Sequence, residues 1–515
     1  MTYSDATLPQ IDQALQLAAN AFIPYKNLSL RARRDFMHAI AAGLEAAAET
    51  LIATADRETH LGAGRLQGEL VRTCWQLRSY SDSALAGHFL DARIDTADPS
   101  RKPVPRPDIR KMMVPLGPVV VFGSSNFPFA YSTAGGDTAC ALAAGCPVIV
   151  KAHPAHAETS EAVAGVVLAA AAKAGLPDGV FTHLHGAAFE TGKALVIHPL
   201  VKAVGFTGST SGGKALFDLA AARKEPIPVF SEMGSINPVF LLPGKLAESA
   251  KEVAAQYAAS ITLSVGQFCT NPGLLIGIKG PDLHIFRTEL GALLAKIPPA
   301  TMLHPGIAKA YAEKRQKALE QSGVQTVAVG SSDSAGAAPG GQRAGSSATA
   351  GTAPGAQGTP EGLPTLAATS AGTFLDNPLL HQEVFGPYSL LVECADAAEM
   401  LAVALHLEGQ LTSTLIATEA DWTANPDLVE AVEQRCGRLI LNGVPTGVEV
   451  VAAMQHGGPY PATTDSRFTS VGADGIRRFT RPLSYQNFPG HLLPEALQDG
   501  NPLGIWRLAN GDWTK

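Results

Sequence analysis

The sequence has no run of the roughly 20 apolar residues that a bilayer-spanning helix needs. Its longest apolar stretches, VVVFG and EAVAGVVLAAAAKAG, stop short of that length. The N-terminus, MTYSDATLPQIDQALQLAAN, lacks a basic start, an apolar h-region and a small-residue cleavage site, so a soluble, cytoplasmic protein is expected. Dense basic clusters are also missing. The stretch Arg101–Lys111 is short and broken by prolines, and the formal net charge is −7. Nucleic acid and anionic membranes reward the opposite balance, so neither is an expected partner, and a solvated surface hairpin accounts for the stretch. Cysteine is scarce: the six, Cys74, Cys140, Cys146, Cys269, Cys394 and Cys436, form no CxxC pair. In a reducing compartment this excludes a disulfide framework, and a special cysteine would be special for its reactivity. His153, His156, His183 and His185 lie at spacings of three and two residues, but no HExxH and no third ligand stands near them in the sequence. No metal site is expected.

What is present is a 515-residue chain with 51 Gly, 36 Pro and 46% hydrophobic residues, the composition of a turn-rich α/β enzyme of two or more domains. From Leu8 to Leu90 apolar residues recur at helical steps. Between Asp91 and Met113 the text alternates and is interrupted by proline, which predicts a protruding hairpin suited to an oligomer contact. Then follow VPLGPVVVFGSSNFPF, a small-residue helix, PVIVKAHP and further strand and helix segments as far as IPVFSEMG. That alternation specifies parallel βαβ units and a doubly wound, nucleotide-binding sheet. After Asn237 a second α/β region is expected to begin with the helix ESAKEVAAQYAASI. Gly330–Pro360 is almost wholly Gly, Ala, Ser, Thr, Pro and Gln and predicts a flexible insertion. The C-terminal stretch holds two of the four Trp and reads as a terminal strand with a docking tail.

Four short segments carry chemistry. In GSTSGGKA, Gly208, Gly213 and Lys214 fit GxxxxGK between a strand and a helix, but Ala215 stands where a phosphate loop needs a magnesium-binding Ser or Thr. Pyrophosphate binding at the helix N-terminus survives that mismatch; nucleotide hydrolysis does not. Cys269, in SVGQFCTNPG, sits in a Gly/Asn/Pro-rich loop after a helix, where a thiol can be exposed and attack a carbonyl. A buried structural cysteine is the plainer reading of Cys269 alone. Glu232 closes an apolar strand in PVFSEMGSINP, where a carboxylate is costly unless partnered or kept neutral, as a general base near neutral pH would be. An ion-paired or capping Glu is the alternative. Asn126, in SSNFPF at a strand's carboxyl end, is either a turn former or an amide donor to an oxyanion.

Together PLGPVVVFGSSNFPF, ALAAGCPVIVKAHP, GFTGST, EMGSINP, GQFCTNPG and EVFGP resemble the aldehyde dehydrogenase superfamily in order and spacing over almost the whole chain. The resemblance implies a Rossmann-type cofactor domain (1–92 and 113–236), an α/β catalytic domain (237–455, with 330–360 as insertion) and a small β oligomerisation arm with a tail (93–112 and 484–515). It further implies Cys269 as nucleophile, Glu232 as base, and Asn126 with the Cys269 amide as oxyanion hole. Lys151 and Glu383 would hold the cofactor riboses, Gly208 and Ser209 would face the pyrophosphate, and Phe385 would pack near the nicotinamide. Because Glu232 is retained, hydrolysis to a free acid is expected rather than transfer to coenzyme A.

The sequence departs from the superfamily pattern in informative places. Three positions after Lys151, in Lys-Ala-His-Pro, no carboxylate stands to grip a ribose 2′-hydroxyl or repel a 2′-phosphate, so NADP is expected over NAD, with His153 as the phosphate neighbour. Ser125 replaces the usual Trp before Asn126, and the C-terminal glycine motif reads HGGPYPATTDSRFTSVG. These features are most similar to the bacterial branch that oxidises 2-oxoglutarate semialdehyde (2,5-dioxopentanoate) in sugar-acid or hydroxyproline breakdown, next to bacterial fatty-aldehyde dehydrogenases. Phe127 and Arg467 are the expected substrate neighbours, Arg467 meeting the substrate carboxylate unless it is structural. A homodimer or homotetramer acting on a small aldehyde is expected. The competing readings are a medium- or long-chain fatty-aldehyde dehydrogenase and a catalytically silent binding protein with the same fold.

Overall fold

A computed structural model of the chain describes residues 3–331 and 361–515. Apart from Gly330 and Ser331, the insertion expected at Gly330–Pro360 lies outside the described residues. The chain forms two compact units, one of Met1–Met233, Val448–Gly457 and Thr463–Lys515, the other of Gly234–Gly447 and Gly458–Ala462.

The first unit opens on helices α1 (Leu8–Lys26), α2 (Leu30–Ala46), α3 (Ala48–Thr59) and α4 (Ala63–Leu85). Thr7 and Gln10 start α1 by closing a reciprocal capping box that satisfies two orphan backbone donors. Strands β1 (Arg93–Asp95) and β2 (Ile109–Pro115) pair antiparallel with Arg93 opposite Lys111, which is the hairpin the Pro-interrupted text predicts. Next come β3 (Val119–Phe122), α5 (Gly136–Ala144), β4 (Val148–Lys151), α6 (Ala157–Lys173), β5 (Phe181–Leu184), α7 (Phe189–Ile197), β6 (Ala203–Thr207), α8 (Thr210–Ala221) and β7 (Val229–Glu232). The five strands pair in parallel in the order β5-β4-β3-β6-β7. From β3 the chain steps outward to β5 and then returns to β6. The order therefore reverses between β3 and β6, and the carboxyl ends of these strands open the crevice in which doubly wound sheets bind nucleotides. All four residues of β3 and of β7 are buried because helices cover both faces. Val121, Val150 and Phe181 face Ile40, Leu77 and Val163 on one side; Val120, Ile149 and Val204 face Leu15, Leu195 and Leu216 on the other.

The second unit opens on a strand, β8 (Val239–Leu241), ahead of the expected helix, α9 (Pro243–Thr262). A three-residue apolar run is too short for periodicity to reveal it. Strands β9 (Leu274–Ile278), β11 (Gln325–Val329), β13 (Thr365–Ser370), β14 (Tyr388–Cys394), β15 (Gln410–Ile416) and β16 (Cys436–Leu441) join β8 in a seven-stranded sheet, order β11-β13-β14-β9-β8-β15-β16. Only β11 runs antiparallel to its neighbour; β10 (Ala300–Thr301) and β12 (Glu361–Gly362) pair separately. Leu241, Leu275 and Leu391 pack against Tyr257, Phe286 and Leu290 on one face, and Phe240, Ile276 and Val392 against Phe374, Met400 and Val403 on the other.

The chain then returns to the first unit. Strands β17 (Thr480–Gln486), β18 (Arg507–Ala509) and β19 (Asp512–Thr514) complete a sheet ordered β17-β2-β1-β18-β19, so the C-terminal stretch is stitched to the hairpin of its own chain. Among the described residues no single helix is long and apolar enough to cross a membrane.

A buried ion pair ties the returning segment to α5: Arg478 Nη2 lies 2.7 Å from Asp137 Oδ1, with side-chain exposures of 3% and 12%. Removing one partner of such a pair strands the other charge, at a cost of about 3–5 kcal/mol. Arg478→Met should accordingly lower the thermal midpoint by several degrees, and scanning fluorimetry that finds no loss would show the pair to be unimportant.

Candidate active site

In the first unit the crevice is built at the carboxyl ends of β3, β4, β6 and β7. Asn126 is buried in the loop that leaves β3, and this loop is held from two sides. From α4, Arg65 Nη2 donates to the Asn126 carbonyl at 2.6 Å with its guanidinium 5.0 Å from the Phe127 ring. One turn on, buried Glu69 accepts from the amides of Phe129 (2.8 Å) and Ala130 (2.9 Å), and Arg72 Nη2 donates to the Tyr131 hydroxyl at 3.2 Å. These three residues follow one face of the helix at steps of four and three. From the other side, the fully buried His156 donates through Nε2 to the Ser124 carbonyl at 2.7 Å. Burial holds the His156 pKa below its ordinary range and keeps the ring neutral.

Glu232 ends β7 with only 3% of its surface exposed. One carboxylate oxygen lies 2.9 Å from His456 Nε2, and the other accepts from the Ser470 hydroxyl. Ser470 and His456 come from the HGGPYPATTDSRFTSVG segment, whose two ends lie side by side where the Ser470 amide donates to the His456 carbonyl at 2.8 Å. Glu232, His456, Thr463 and Ser470 line one small cleft of about 250 Å³. Arg467 stands apart. Its side chain is 78% exposed and bound to Asp465 by contacts of 2.8 and 2.5 Å.

The residues expected to face the nucleotide sit at the carboxyl ends of β4 and β6. Ser209 caps α8 by accepting from the Gly212 amide at 3.2 Å, which orients the helix N-terminus at the end of β6, where amides and macrodipole favour an anion. Gly208 precedes it, and a Cβ there would lie 2.7 Å from the Phe206 ring. Lys151 ends β4, and burial lowers its pKa. His153 Nδ1 accepts from the Ala155 amide at 3.1 Å, so the ring proton sits on Nε2 and makes that nitrogen a donor.

The second unit carries Cys269. Before it, Ser264, Val265 and Gly266 all take positive φ (50°, 59° and 64°), a left-handed turn that a β-branched residue adopts only when its surroundings impose it. Gly266 has no alternative, since a Cβ would overlap the Gly386–Pro387 backbone of EVFGP. Asn237, fully buried and itself at φ 47°, anchors the loop: its Nδ2 contacts the carbonyls of Cys269 and Asn271, each at 2.9 Å, while its Oδ1 accepts from the hydroxyls of Thr412 (2.9 Å) and Ser235 (3.0 Å). Cys269 and Cys436 are both half-buried and the other four are buried; burial pushes Cys140 and Cys394 to about 12 and raises Cys74, Cys146 and Cys436 as well. Glu383 and Phe385 share a cavity of about 370 Å³ with Ser235, Phe268 and Asn271. Burial raises the Glu383 carboxyl to about 7, against the Lys314 charge and the Ser235 amide 3.5 Å away, both of which lower it. A pair of ribose hydroxyls is the kind of donor such a carboxylate lacks.

The structure therefore gathers Asn126, Phe127, Lys151, His153, Gly208, Ser209 and Glu232 in the first unit, and Cys269, Glu383 and Phe385 in the second. Arg65, Glu69, Arg72, His156, Asn237, His456 and Ser470 support them, none of which the sequence reading assigned a role. All of them owe their positions to contacts distant in sequence.

Asn237→Ala would leave two buried carbonyls without a donor and release the Cys269 loop. A displacement of about 1 Å at a reacting group costs about a hundredfold in turnover. The variant should show that loss in kcat together with an altered rate of Cys269 alkylation, and unchanged values of both would refute the anchoring role.

Comparison with known proteins identifies the family. The family model described as "Aldehyde dehydrogenase family" matches residues 1–481. The chain is 49% identical over 506 residues to alpha-ketoglutaric semialdehyde dehydrogenase 2 of Azospirillum brasilense, covering 98% of this chain and 92% of the relative. It is 44% identical over 514 residues to alpha-ketoglutaric semialdehyde dehydrogenase of Acinetobacter baylyi, covering 100% and 93%. Among solved structures, 3,6-anhydro-L-galactose dehydrogenase in complex with NAP shares the fold with a TM-score of 0.76 at 19% identity, covering 94% of this chain and 92% of that one. A 1-pyrroline-5-carboxylate dehydrogenase from Thermus with bound NAD does so with a TM-score of 0.73 at 20% identity, covering 94% and 86%. The chain belongs to the aldehyde dehydrogenase family and is an NAD(P)-dependent oxidoreductase that converts an aldehyde to an acid.

Proposed function

We propose that the protein oxidises 2-oxoglutarate semialdehyde to 2-oxoglutarate with NADP as the preferred cofactor, the first unit holding the dinucleotide and the second the nucleophile. Support for the substrate comes from the two relatives named alpha-ketoglutaric semialdehyde dehydrogenases, which this chain matches over more than nine-tenths of their length. Support for the hydrolytic ending is the environment of Glu232, a buried carboxylate with a hydroxyl on one oxygen and an imidazole beside the other.

In this reading Cys269 Sγ adds to the aldehyde carbon, and the new oxyanion accepts from the Asn126 amide and the Cys269 backbone N–H. When bound, the dinucleotide supplies the hydride acceptor. Loss of hydride leaves a thioester on Cys269. Glu232 takes a proton from water, the resulting hydroxide attacks the thioester carbon, and the acid departs as the thiol is restored. His456 Nε2 and the Ser470 hydroxyl hold the Glu232 carboxylate in orientation. Lys151 and Glu383 would hold the riboses, Gly208 and Ser209 would face the pyrophosphate, and Phe385 would pack near the nicotinamide. His153 Nε2–H serves the 2′-phosphate. With Arg467 engaged by Asp465, its service to the substrate carboxylate requires exchange of one carboxylate for another. The hairpin and tail sheet, which exposes Trp506 and Trp513, is the proposed oligomer contact.

A panel of aldehydes with both cofactors tests the reading. The expected result is a higher kcat/KM for 2,5-dioxopentanoate than for hexanal, and for NADP than for NAD; preference for hexanal would overturn the substrate, and equal use of NAD would overturn the cofactor. A second expectation concerns pH. Because the Glu383 carboxyl sits near 7 and would bind ribose hydroxyls as an acceptor, cofactor affinity should rise as pH increases through about 7. Stability of the unliganded protein should move the opposite way. The folded state retains this proton over a range in which the unfolded state, at the ordinary value of 4.5, has released it, so this group's contribution is full below 4.5 and lost as pH rises toward 7. Glu383→Gln should flatten both dependences, and a pH profile of cofactor KM unchanged by that substitution would remove Glu383 from the ribose site.

A further inference from the structure

Outside the residues assigned to catalysis, one cluster in the first unit has the donor set of a metal centre. His183 and His185 are two residues apart along the end of β5, and this spacing puts both rings on one face. Glu161, from α6, brings the same carboxylate oxygen to 3.1 Å from His183 Nδ1 and 2.8 Å from His185 Nε2. All three ligand atoms lie within 4.8 Å of one another. Around a tetrahedral ion with bonds of about 2.0–2.1 Å, ligand atoms are separated by about 3.4 Å, so the two contacts of Glu161 with the imidazoles need to open by only a few tenths of an ångström.

The surroundings suit a cation. His183 has 5% side-chain exposure and its second nitrogen contacts Ser160 Oγ at 2.8 Å, which in turn contacts Thr133 Oγ1 at 2.5 Å, the kind of backing that orients a metal-bound imidazole. Glu161 is 54% exposed and leaves an approach from solvent and room for water as a fourth ligand. Tyr3 stacks on His185 with centroids 4.0 Å apart, and Glu161, Glu158 and Glu58 all act on its phenol, a sign of negative potential at this corner.

We propose that Glu161, His183 and His185 form a three-ligand site for a divalent transition-metal ion of the zinc class. The bound ion clamps the end of β5 to α6. Through His185 it also stiffens the N-terminal segment, whose Ala6 amide donates to the His185 carbonyl at 2.9 Å and whose Asp5 carboxylate accepts from Ala187 and Ala188.

The test uses the full chain, stripped with a chelator, in a Cys269→Ser background so that the reactive thiol cannot bind metal. Titration with Co2+ should give roughly one equivalent per chain with visible d–d absorption and no thiolate charge-transfer band, and Zn2+ should displace it. Zn2+ should also raise the thermal midpoint. Loss of one ligand should weaken binding by at least about tenfold, in His185→Ala and equally in Glu161→Gln, a largely exposed position that can be changed without threatening the fold. Substoichiometric uptake, a thiolate band, or affinity unchanged in both variants would overturn the site.

Discussion

The carboxamide of Asn237 is the constraint on which the second unit's chemistry depends. Its nitrogen meets the carbonyls of Cys269 and Asn271 and its oxygen takes two hydroxyls, so it leaves little freedom to the loop carrying Cys269. Asparagine suits the position doubly. It tolerates the left-handed backbone there, and it offers donors and an acceptor from one planar group. Aspartate would set an anion against two carbonyl oxygens, and leucine would leave those carbonyls unsatisfied, at about 1–3 kcal/mol each. The unfavourable turn at Ser264–Gly266 persists because this anchor and the close approach to Gly386 over-determine it.

The first unit follows the same rule with different chemistry. The Asn126 loop is held by charged side chains from α4 and by one neutral imidazole, and Glu232 is held by a hydroxyl and a second imidazole. None of these supports touches the loop or carboxylate from a neighbouring sequence position. Groups that must keep a reactive geometry are fixed by residues whose own rotamers are locked by packing. The thiols show the converse. Five are raised by burial and sit in helices, strands or a short turn, whereas Cys269 is half-buried in the loop that Asn237 anchors.

Much of the fold was legible because parallel strands buried on both faces read as unbroken apolar runs, as in VVVF and VIVK, and because helices between them repeat at 3.6 residues. The motif residues Cys269, Glu232 and Asn126 were legible through their company in the chain. Their supports were not: Arg65, Glu69 and Arg72 look like the polar face of an ordinary surface helix until α4 is seen to lie along the Asn126 loop, and His456 is separated from Glu232 by the whole second unit. Arg467 illustrates the reverse error of emphasis, since sequence shows a cation but not the Asp465 two residues away that already engages it. Glu161 shows the limit for ligand sets. Two histidines on a strand are visible in the text, while a third ligand supplied by a neighbouring helix is visible only in three dimensions.

The division of the chain has a consequence for biosynthesis. The second unit is nearly continuous in sequence, but the first is interrupted by it and resumes only at Val448. Glu232 emerges from the ribosome more than two hundred residues before His456 and Ser470, the groups that satisfy its carboxylate. Until those residues arrive, burying Glu232 would strand a charge. The nascent β7 end must therefore remain hydrated while the second unit folds, and closure around this carboxylate belongs among the last events in the making of the protein.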